Sequence, residues 1–178
     1  LQSTDLLGAF LPESSGAQFP AVARAPVDLE ARIAVLLAPA ANPAVALERL
    51  KLPTLSTRRI LVLIAHQQPP TPEAPDKAVR LWIRDVGPQP ASLAQQLGFC
   101  AALGHPVESL RPRVEALRQD PLVPRQLALD GSQIMAALGT GPGPIVGQAT
   151  RFLMDQVLSD PAKNTEDSLR TLLKGFNA

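Results

Sequence analysis

Apolar residues recur along this chain at spacings of three and four, and the runs are cut by proline and glycine. That periodicity predicts short amphipathic helices. Leu29, Ile33, Leu36 and Leu37 form one stripe, entered at Asp28 as N-cap and stopped at Pro39. Val45, Leu47 and Leu50 mark a helix over 43–50, with Pro43 in its first turn. Ser56 is placed to cap a helix over 57–67 whose apolar face is Ile60, Leu63 and Ile64. Asp76 opens the next, with Val79, Trp82, Ile83 and Val86 on one face and Lys77, Arg80 and Arg84 on the other.

Softer patterns predict helices over 91–103, closed by Gly104, and over 107–119, where Pro112 implies a late start or a kink. Asp130-Gly-Ser-Gln133 reads as a capping box for a helix ending at Leu138-Gly139. Pro144 opens a longer helix to about Leu158, with Ile145, Ala149, Phe152 and Leu153 inward. Asn164 or Thr165 caps the last, where Leu169, Leu172, Leu173 and Phe176 pack. No alternating run is long enough to predict a strand, and no fixed-period repeat is present. The expected fold is all-α, an irregular bundle of about eight or nine short helices. It divides into an opening segment over 1–26, a helical body over 27–120 and a helical tail over 121–178, hinged near Pro121 to Pro124.

Composition narrows the chemistry. The 178 residues carry 17 basic and 16 acidic side chains, a formal net charge of +1, so any nucleic-acid surface must come from local clustering. A single cysteine, Cys100, excludes a disulfide framework within the chain and fits a reducing compartment. The opening LQSTDLLGAF lacks the basic n-region of a signal peptide. No stretch approaches the ~18 consecutive apolar residues of a membrane span. A soluble, cytoplasmic protein with no membrane partner is expected. The chain begins with Leu1 rather than Met, which reads as a piece of something longer. Aromatics are 3% of residues with no Tyr, which argues against base-stacking platforms.

Candidate catalytic constellations fail on spacing. Gly139 to Pro144 (GTGPGP) is followed by no Gly-Lys-Ser/Thr and preceded by no strand, so neither a P-loop nor a dinucleotide fingerprint is met. A glycine turn before a helix accounts for it, and the same helix start can present N–H groups to a phosphate. His66 and His105 have no ligand-spaced His, Cys or carboxylate partner, and Cys100 sits among apolar residues. No Asp-x-Asp pair exists to hold two Mg²⁺ ions. No catalytic residue, metal site or cofactor is therefore expected in this chain. The basic residues cluster in three places: Arg49, Lys51, Arg58 and Arg59; Lys77, Arg80 and Arg84; and Arg111, Arg113, Arg118 and Arg125. Interspersed carboxylates make a solvated surface the simpler account of each, and a phosphate-binding face requires that they converge.

The stretch 129–173 resembles the carboxy-terminal tail of bacterial tRNA nucleotidyltransferases, the CCA-adding enzymes with their A-adding and poly(A) polymerase relatives. Leu129-Asp130-Gly131, Ile134-Met135, Leu138-Gly139, Pro142-Gly143-Pro144, Gly147 and Leu153 carry the likeness. Val157, Asn164, Leu169 and Leu172-Leu173 continue it. Gln133 stands where the family tends to have Asp. A softer likeness covers 29–67, where Glu48-Arg49-Leu50-Lys51-Leu52 runs on to Ser56.

The resemblance implies a region that holds the tRNA acceptor and TΨC arms. A catalytic head, absent from this chain, would supply Mg²⁺ and nucleoside triphosphate chemistry and be its other partner. Backbone and shape contacts to A-form RNA are then expected, at Arg58, Arg59, Arg80 and Arg84 and at the helix start marked by Gly141, Gly143 and Gly147. Two other classes stay open. One is a helical protein-interaction or scaffold module without RNA binding. The other is a degenerate HD-type phosphohydrolase, which needs a metal cluster that His66 and His105 alone do not form.

Overall fold

A computed structural model describes residues 8–9, 11–17 and 19–176, and these include ten α-helices and no strand. The helices are α1 (Phe19–Arg24), α2 (Leu29–Leu37), α3 (Pro43–Leu50), α4 (Thr54–Ala65), α5 (Asp76–Val86), α6 (Pro90–Ala102), α7 (Leu110–Leu117), α8 (Gly131–Leu138), α9 (Pro144–Ser159) and α10 (Glu166–Lys174). The all-α class expected from periodicity is the class observed. Much of the opening decapeptide read for a leader lies outside the described residues. The rest of the opening segment holds more order than its pattern suggested, a 3₁₀ turn at Pro12–Ser14 and helix α1.

The helices fall into two compact units: residues 1–72 with 85–112, and residues 73–84 with 113–178. In the first unit α2 is central, packing on α1, α4 and α6, while α3 packs on α4. Its buried face is Ala31, Ala34, Val35 and Leu37, and Leu29 is 65% exposed. The stripe expected from the large residues is thus displaced. Small side chains at Ala31 and Ala34 let neighbouring backbones approach, and a helix touched from several sides buries more than one stripe. On α4, by contrast, Ile60, Leu63 and Ile64 are buried as their spacing predicts. Gly98 on α6 lies against the Pro26 ring, where an added Cβ would come within 2.6 Å of Pro26 Cγ.

Buried and half-buried polar groups lock this unit. Arg59 donates to the carbonyls of Val86 and Ser92 and to Gln95 Oε1. The Gln95 amide nitrogen then donates to Asp28 and Glu30. Burial pulls the Arg59 guanidinium below its ordinary value, partly offset by the Glu30 and Asp28 carboxylates. Gln96, fully buried, donates to the Leu63 and His66 carbonyls and so closes the end of α4, leaving its own Oε1 without a partner.

In the second unit α9 is central and packs on α8, α10 and two 3₁₀ turns, Pro124–Gln126 and Pro161–Lys163. Leu153, Val157, Ile134 and Leu169 are buried, and the Phe152 and Phe176 rings lie 5.4 Å apart. Asp130 caps α8 in the expected capping box with Gln133, and its carboxyl is held below the ordinary range chiefly by the Ser132 hydroxyl. Thr165, not Asn164, caps α10; the Asn164 side chain instead bonds the backbone at Gln126 and Ala128. Among the described residues no helix is long and apolar enough to cross a membrane.

Candidate nucleic-acid interface

In the first unit, basic groups gather at the turn between α3 and α4. Lys51 ends α3 in the left-handed region at φ 49°, its N–H donating to Glu48 O. Pro53, with its fixed φ and no N–H, then starts α4 one turn earlier than Ser56 would have done. The cap expected at Ser56 is replaced, and the Ser56 hydroxyl donates instead to Glu30 at 2.9 Å. Because proline offers no capping oxygen, the α4 N-terminus has no side-chain cap. Lys51, Thr54, Thr57 and Arg58 surround it in a cleft of about 280 Å³, to which Glu48 adds one opposing carboxylate. Neither Lys51 nor Arg58 has a side-chain partner among the described residues.

The other arginines named from sequence are differently placed. Arg59, next to Arg58, points inward to the Val86 and Ser92 carbonyls. Arg80, expected on a solvated face, is 7% exposed, because Asp120 and the Leu158 carbonyl close over it within the second unit. Arg84 is half-buried and engaged, and Lys77 pairs with Asp155 at 2.6 Å. Arg118 pairs with Glu115, Arg113 with Asp76 and Arg111 with Glu108. Proximity in sequence grouped Lys51, Arg58 and Arg59; in the fold Lys51 and Arg58 share the cleft, and Arg59 turns away from it.

The second unit carries a different surface at the start of α9. Gly139 ends α8 at φ 63°, a conformation that favours glycine. Gly141 and Gly143 follow, both exposed, and Gly143 is an extended N-cap with no capping side chain. Neither adopts a left-handed conformation, and a Cβ at either would meet nothing within 4 Å. At Gly147, in the second turn of α9, an added Cβ would meet only Arg151 Nη1, at 3.8 Å. No packing or dihedral demand within the described residues requires glycine at these three positions. Arg151 lies back over Gly147 toward the positive end of its own helix and has no carboxylate partner among the described residues.

No protein-family model, curated protein or solved structure matches this chain. The site thus stands on its geometry. Arg151 was not singled out by sequence reading, although its place four residues after Gly147 was the available signal. Among the described residues no three His, Cys, Asp or Glu side chains are grouped to hold a metal ion. Cys100 is buried, and burial pushes its thiol up to about 11, which leaves it protonated and unreactive at neutral pH.

Proposed function

We propose that this chain is the tRNA-holding body and tail of a tRNA nucleotidyltransferase of the CCA-adding, A-adding and poly(A) polymerase family, working in the cytoplasm. Mg²⁺ and nucleotide would be handled by a head domain outside these residues. The observation that carries the reading is the α9 start. Three exposed glycines there have no reason within the described residues to be glycine, the N-cap Gly143 has no capping side chain, and the Arg151 guanidinium, with no partner among the described residues, lies over Gly147. Glycine at such a place lets a phosphate backbone approach the N–H groups closely. The same stretch carries the sequence resemblance. The cleft at Lys51, Thr54, Thr57 and Arg58 supplies a second phosphate-sized surface in the other unit.

Fluorescence anisotropy with labelled tRNA over a salt series tests this. Binding should weaken linearly in log[salt], because each phosphate contact releases counterions. Absence of binding at low salt, or binding indifferent to salt, overturns it.

A protein-interaction module is the second reading, favoured by one feature. Val27, Leu29 and Leu55 are 91%, 65% and 79% exposed, and the Glu30–Ser56 bond links the helix starts that bear Leu29 and Leu55. Under that reading serine at these three positions abolishes partner binding. Under the RNA reading it leaves tRNA affinity unchanged.

A further inference from the structure

We draw no further inference here: the strongest candidate, the largely apolar groove of about 490 Å³ in the first unit that Pro12, Pro39, Ala40, Ala41 and Val45 line beside the start of α3, carries nothing because nothing in the structure shows what covers it.

Discussion

Arg80 on α5 donates through Nε to the Asp120 carboxylate at 2.7 Å, with the two side chains 8% and 25% exposed. Its Nη1 also satisfies the Leu158 carbonyl at the end of α9, at 3.0 Å. One guanidinium thus ties three segments of the second unit together. Removing it strands a largely withdrawn carboxylate and a buried carbonyl. Arg80→Ala should cost about 3 kcal/mol, read as a lowered urea midpoint. Arg80→Met/Asp120→Asn should cost clearly less than the sum of the two single changes, because the charges are lost together. Strict additivity would show that the pair is not coupled.

Residues of this kind separate what periodicity reveals from what it hides. Val79, Trp82, Ile83 and Val86 are all buried, because four large apolar groups on one face leave a helix a single way to pack. Arg80 lies between them in sequence, and its burial depends on Asp120 and Leu158, 40 and 78 positions away. No local pattern encodes such a partner. The same holds for Leu29, a large apolar residue left exposed because alanines carry the α2 contact face. At the candidate interface the glycine-rich helix start was legible, since turn residues act locally. The inward turn of Arg59 was not, because its partners, the Val86 and Ser92 carbonyls, lie 27 and 33 positions away.

Cys100 predicts a specific alkaline response. Its thiol stays protonated in the folded chain up to about 11, whereas the unfolded thiol ionises near its ordinary 9.0. Between those values the native state holds one more proton than the unfolded state. Stability from this group is therefore full below 9.0 and is lost as pH rises toward 11. The chain has no tyrosine, so lysines are the main other groups titrating in that window. Urea midpoints of wild type and Cys100→Ala, compared below 9.0 and near 11, should show the smaller decline in the variant. Identical declines would mean that the native thiol titrates normally.

Lys51 carries a Cβ in a left-handed conformation where glycine would be relaxed. The strain is about 1 kcal/mol, and it is retained at the rim of the candidate phosphate cleft. Lys51→Gly should raise stability by roughly 0.5–1 kcal/mol, partly offset by the entropy of the added glycine. The same change should weaken tRNA binding and shallow the slope of log K against log[salt] by about 0.7–0.9, the value for one phosphate contact. A stabilised variant with an unchanged salt slope would remove Lys51 from the interface.

Gly147 separates folding from binding most sharply. It sits inside α9 with no neighbour closer than Arg151 Nη1, at 3.8 Å from an added Cβ. Alanine there meets ordinary van der Waals contact and gains helix propensity of up to about 1 kcal/mol. Folding alone would therefore favour alanine. If the α9 start is where the RNA backbone approaches, the methyl intrudes on that approach. Gly147→Ala should then raise the thermal midpoint while weakening tRNA binding several-fold. Arg151→Ala should weaken binding with little change in stability, since its guanidinium has no partner among the described residues to lose. A Gly147→Ala variant that is more stable and binds tRNA as tightly as wild type would leave the glycine without a role at an interface, and the α9 start would have to be withdrawn from the proposed contact surface.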